Sequence, residues 1–208
     1  MSNATYLAIC NNIYDLTKRP DLLAETALAV RKATMKFHLA DMWKNDLATA
    51  IITLPVLSPI GDVSFRYSLD LTQTSDYPLM RKVSEIVEYN TVPTGYETHF
   101  KELDADRIMD HYMLEEINYW YQVGRQVSLR CNKLLTQLKV IYYRYPDVTT
   151  AVFNSWVAEQ FPDFIVCEAA AQIFATIGKD TEAARYASMF TGPDGNSGNL
   201  QLLRISEI

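Results

Sequence analysis

"VSFRYSLDL", residues 63–71, sets Val63, Phe65, Tyr67, Leu69 and Leu71 against Ser64, Arg66, Ser68 and Asp70. A period of two puts the apolar set on one face, so the stretch predicts a half-buried antiparallel strand. The residues before it keep a different period. "NATYLAICNNIYDLTK" spaces Tyr6, Ile9, Cys10, Ile13 and Leu16 as one helix face, with Asn3 as its cap. A second helix is expected to open at Pro20, where a missing N–H costs nothing, and to run its apolar face through Leu23, Ala27, Val30, Met35 and Phe37 to Met42. Residues 4–17 and 20–42 therefore read as an antiparallel helical hairpin, and the change of period after it marks entry into a β region.

"ATAIITLPV" before the opening strand and "KVSEIVEYN" after it read as its neighbours, set off by turn signals at Pro59–Asp62 and Ser75–Pro78. "ELDADRIMDHYMLEE" predicts a short helix near 104–112 that turns Leu103, Ile108, Met109 and Tyr112 inward. Three alternating runs follow, through Tyr119–Val123, Val127–Cys131 and Leu138–Tyr142. With turns at Gly124 and near Asn132 they predict a meander. "YYRYPDV", residues 142–148, places Tyr142 on the Leu138 and Val140 face and Tyr143 and Tyr145 on the other, then stops at Pro146. Aromatics split between two faces, with only Arg144 beside them, read as a strand end. A stacking platform for a sugar or nucleotide built on Tyr143 and Tyr145 is the alternative.

Period 3.6 returns in "FNSWVAEQFPDFIVCEAAAQIFATIG", where Pro162 should begin or kink a helix and Gly178 should end one. "TEAARYASMF" gives a last helix capped by Asp180. The fold class is α+β. An antiparallel helical bundle (1–48 and 149–192) carries an inserted antiparallel β region (49–148), and an extended C-terminal tail (193–208) completes the chain. In the tail, "TGPDGNSGN" is a flexible tether and "LQLLRISEI" is apolar again. Too short for its own core, the segment is expected to dock on a neighbouring chain through Leu200, Leu202, Leu203, Ile205 and Ile208; the alternative is a tail folded back on its own domain.

At 208 residues the chain can bury a sizeable core. A net charge of -6 with scattered basic residues argues against tight DNA binding, which draws on clustered Lys and Arg. Thirteen tyrosines, eight phenylalanines and three tryptophans suit protein interfaces as well as cores. Three distant cysteines predict buried thiols in a reducing compartment, and no membrane span or leader is apparent. G-x-S-x-G, H-E-x-x-H and phosphate-loop patterns are missing. Asp106, Asp110, His111 and Glu115 have chelating i, i+4 spacing and would be the metal site of a metal-dependent hydrolase, but a solvated acidic helix start explains them as well. His38 and His99 stand alone and read as surface or hydrogen-bonded histidines.

The order of these pieces carries a likeness. A hairpin with "RPDL" in its second helix, a Y-x-L-D-L strand, "YWYQVGRQVSLR", "VIYYRYPDV", then "SWVAEQFPDFIVCEAAAQIF" and "DTEAARYASMF", resembles the head-to-tail connector (adaptor) proteins of tailed bacteriophages over nearly the whole chain. The resemblance implies a structural, non-enzymatic virion protein without cofactor, assembled in the host cytoplasm and placed at the neck. Twelve copies would form a ring under the portal, extend the channel through which DNA passes as cargo, and offer the tail or nozzle proteins an attachment surface. The 193–208 tail would reach the portal. A neighbouring tail component, a tail terminator or nozzle subunit, is the alternative of the same class.

Overall fold

A computed structural model describes residues 2–55, 64–72, 79–89, 98–103, 118–149 and 152–191. Within them the protein is mixed α and β, with five helices and one curled seven-stranded sheet. The short helix expected near 104–112 and the 193–208 tail lie outside the described residues. Contacts divide the chain into two units, one formed by Met1–Asp46 with Tyr145–Ile208, the other by Leu47–Arg144.

In the first unit, α1 (Ser2–Thr17) and α2 (Leu23–Leu39) are followed, after the β residues, by α3 (Trp156–Gln160), α4 (Pro162–Thr176) and α5 (Asp180–Thr191). Both α1 and α2 pack mainly on α4, the most apolar helix, whose Ile165, Ala169, Ala170 and Ile173 are almost fully buried. Alanines at 169 and 170 allow that close approach. Pro162 does open α4, with Phe161 out of helical conformation before it. Gly178, at φ +74, ends the segment: its N–H reaches the Ala175 carbonyl and that of Lys179 reaches Phe174, a left-handed cap that favours glycine. Phe174 then stacks on Tyr186 of α5 at 5.3 Å.

Three expectations about the first two helices need correction. Helix α1 already begins at Ser2, so Asn3 lies inside it rather than at its cap. Helix α2 starts at Leu23, because residues 20–22 form a turn in which Arg19 makes two hydrogen bonds to Asp21. Its buried face is Thr26, Ala29, Val30, Ala33, Thr34, Phe37 and His38, with Leu23 64% exposed. Among its polar members, Thr34 Oγ1 donates to the Val30 carbonyl at 2.8 Å, and His38 bonds Asp46 and Ser155.

The second unit holds β1 (Leu47–Thr53), β2 (Phe65–Asp70), β3 (Met80–Glu88), β4 (His99–Glu102), β5 (Tyr119–Val123), β6 (Gln126–Cys131) and β7 (Gln137–Arg144), in sheet order β1-β7-β3-β4-β5-β6-β2. The β2 alternation is as read, with Tyr67 and Leu69 buried and Arg66, Ser68 and Asp70 exposed. Its partner is β6, however, and the expected neighbours β1 and β3 both pair with β7. The meander likewise stops after its β5–β6 hairpin, which turns through Gly124 at φ +60. Nor is the region wholly antiparallel, since β4 and β5 run parallel.

The short β4 splits its pairing. His99 and Phe100 pair with β3, and Lys101 and Glu102 pair with β5. A strand that changes partner midway turns a sheet corner. Accordingly, Tyr67, Leu69, Trp120, Val127 and Leu129 from one half share a single core with Val83, Ile86, Leu138, Val140 and Tyr142 from the other.

One ion pair in this unit predicts a pH response. Glu88 is nearly buried, which alone would push its carboxyl up, but Lys133 Nζ and the Thr98 groups hold it below its usual range. A depressed folded pKa contributes stability that is full above the unfolded value, about 4.3, and is lost as pH falls through the folded one. Lys133→Met should thus lower the urea midpoint at neutral pH and approach the parent in acid. A gap between the two that stays constant from pH 7 to 3 would rule this linkage out.

Candidate functional site

The densest polar cluster among the described residues is buried in the first unit. Val30, Thr34 and His38 are four residues apart, so the α2 face that packs inward ends in an imidazole only 2% exposed. His38 Nδ1 lies 2.8 Å from Asp46 Oδ1, and Nε2 lies 2.9 Å from Ser155 Oγ. Asp46 closes a 3-10 turn, Lys44–Asp46, and the Nε1–H of Trp156 donates to the same Oδ1 at 2.8 Å. Ser155 caps α3, accepting the Ala158 N–H at 3.1 Å in extended conformation. With the Nδ1–H donating to Asp46 Oδ1, Nε2 is left to accept from the serine hydroxyl, while Asp46 Oδ2 has no hydrogen-bond partner; this tautomer follows from the network. Trp156 stands edge-on to His38 at 5.8 Å and to Trp43 at 5.9 Å, and Trp43 donates to the Phe37 carbonyl at 2.9 Å.

Serine, histidine and aspartate are connected here in the order of a hydrolytic triad. A nucleophile must reach a substrate carbonyl, whereas Ser155 is 3% exposed and its oxygen is committed to a helix cap. The arrangement works as a lock that ties α2, the turn before β1 and α3 together. Sequence reading left His38 as a solitary histidine and passed over Asp46 and Ser155. The i, i+4, i+8 run from Val30 was the available signal for burial, but the partners come from 8 and 117 residues away.

The surface of the same unit carries a second feature. Opposite its buried face, α2 presents Ala24, Leu28, Met35 and Leu39, with Leu28 51% and Leu39 45% exposed. At 100° per residue these four form one stripe about half a turn from the core stripe, flanked by Arg31 and Lys32. On α1, Leu7 is also more than half exposed. These residues leave α2 with a second apolar side, exposed among the described residues.

The other predicted positions fare differently. Leu200, Leu202, Leu203, Ile205 and Ile208, and the set Asp106, Asp110, His111 and Glu115, lie outside the described residues. No group of His, Cys, Asp and Glu among the described residues could hold a metal ion. His99 is exposed and bonds Glu85. Tyr142 is buried in the β core, and β7 ends at Arg144 before Tyr145, as a strand end should. Cys10, Cys131 and Cys167 are free thiols whose pKa values burial pushes up, so they are protonated and weakly nucleophilic. No helix of the described residues is long and apolar enough to cross a membrane. Compared with known proteins, the chain matches no family model, and no curated protein matches it.

Proposed function

We propose that the chain is a structural subunit of a phage head-to-tail connector, a dodecameric ring at the virion neck that binds the portal, extends the DNA channel and offers the tail proteins a docking surface. In this reading the helices form a bundle that carries the β region as an insertion, and no enzymatic activity or cofactor is involved. The observation that carries the reading is the second apolar stripe of α2, Leu28, Met35 and Leu39, which suits a permanent contact with a neighbouring copy. Support also comes from the order of sequence elements shared with connectors, and from the burial of Ser155 and His38, which gives their chemistry a structural use.

The 193–208 segment supplies the portal contact through Leu200, Leu202, Leu203, Ile205 and Ile208, and twelve such tails on one ring reinforce each other without any single tight contact. Deleting residues 199–208 should therefore abolish co-purification with portal while leaving the circular dichroism spectrum unchanged. Equal recovery of portal with full-length and truncated protein would overturn the assignment of the tail. Recovery of tail proteins without portal by the full-length chain would move the protein to the neighbouring tail component.

A further inference from the structure

Strand β1, Leu47–Thr53, carries no charge, no proline and no glycine. Among the described residues it pairs only with β7, in an unbroken register, so it ends the sheet order on that side. The Leu54 N–H donates to the Thr136 carbonyl, which fixes the phase of the ladder. Ala48, Ala50 and Ile52 bond β7, whereas Leu47, Thr49, Ile51 and Thr53 turn their N–H and C=O groups outward. Such a row is a template for another strand, and proteins guard it with charge, proline or a bulge. At the opposite end of the sheet order, β2 has Arg66 and Asp70 at its outward positions; β1 has none of these guards.

Both faces of β1 offer apolar surface. Leu47 and Ile51 are 39% and 53% exposed on the outer face, while Ala48, Ala50 and Ile52 pack against the β core yet stay half-buried. The core layer is thus open at this edge, and a further strand with small and β-branched side chains would continue it. Another β1 has those residues in the right phase. Set antiparallel about a two-fold axis at Ala50, Leu47 meets Thr53 of the second copy and Thr49 meets its Ile51, so the outward groups of both strands pair. The two Ile51 side chains then lie diagonal to one another and to the two Leu47 side chains, one apolar quartet on the outer face. Charge selects the same occupant. At a net charge of -6 the chain repels its own kind, but two β1 strands bring no like charges together.

We infer that β1 is a pairing edge whose occupant is the β1 strand of a second copy, in a two-fold dimer. The contact goes beyond the connector reading and does not rest on it: a ring repeats one contact head to tail, whereas this one closes at two copies. A seven-residue strand buries less than a permanent interface needs, so the dimer dissociates on dilution. The test uses the full chain. Ala50→Cys sets two thiols in a non-hydrogen-bonded pair with Cα atoms about 4.5 Å apart, which suits a disulfide. Mild oxidation should link this variant into a covalent dimer far beyond the yield of the parent, with its free Cys10, Cys131 and Cys167, or of Lys82→Cys, an exposed position away from the edge. Sedimentation velocity should show the parent passing from monomer to dimer as concentration rises. Ile51→Lys, at an exposed position, should weaken that dimer about tenfold or more with unchanged thermal unfolding. Thr49→Pro is the second variant: it removes an N–H that β7 does not use and should suppress dimer and crosslink alike. Crosslinking at position 50 no greater than at position 82, or a dimer that both Ile51→Lys and Thr49→Pro leave intact, would overturn the pairing, whether or not twelvefold rings form.

Discussion

Asp46→Ala should unfold at a markedly lower urea concentration than the parent, with a loss of about 2–4 kcal/mol. One carboxylate oxygen accepts from both His38 Nδ1 and Trp156 Nε1, and the imidazole is sealed from water on every side. Removing that oxygen leaves a buried imidazole donor with nothing to bond and a half-buried indole donor to find water. The loss also spreads, since His38 fixes the Ser155 hydroxyl that caps α3. Asp46→Asn separates shape from charge. It keeps an oxygen for both donors but sets an amide where Oδ2 now has no hydrogen-bond partner, so its cost should fall between parent and Asp46→Ala. Equilibrium denaturation with an unchanged slope is the measurement. An Asp46→Ala midpoint equal to that of the parent would mean the lock contributes nothing.

The second large effect comes from a single oxygen. Tyr67 accepts the Leu135 N–H at 2.8 Å and donates to the Leu135 carbonyl at 3.2 Å, so one phenol satisfies both backbone groups of a residue only 2% exposed. Burial pushes the Tyr67 phenol up, which keeps its proton in place to donate. Tyr67→Phe should cost roughly 2–4 kcal/mol, the desolvation of two buried backbone groups left without partners, although the ring still fills its place. Hydrogen exchange gives the local signature: the Leu135 amide should exchange much faster in the variant, relative to amides in α4, than global destabilisation alone explains. Uniform acceleration across both units would sink this account.

That phenol also explains where sequence reading failed. Alternation assigns each strand a face, and it did so correctly for Leu138, Val140 and Tyr142 and for Tyr67 and Leu69. It carries no information about which strand lies alongside. Residues 132–136 look like a hairpin loop, but Tyr67 draws Leu135 into the core, and the chain emerges in the other half of the sheet to pair with β1 and β3. The α2 face was misjudged for a related reason. Counting apolar types favours Leu23 and Met35, whereas the buried positions include Thr26, Thr34 and His38, and the Asp46 and Ser155 that compensate His38 are partners periodicity cannot reveal. The Ser155 lock shares that limit, being built from residues that meet only through the fold.

Register between β1 and β7 has a further meaning for how such a protein can change. Leu47 lies beside Tyr143, so the polypeptide enters and leaves the sheet one strand spacing apart, about 4.8 Å. Whatever is spliced between those two points leaves the anchorage on either side of them unaltered. Lengthening, shortening or exchanging the strands can therefore retailor the β unit while Asp46, a single position upstream, keeps its bonds to His38 and Trp156.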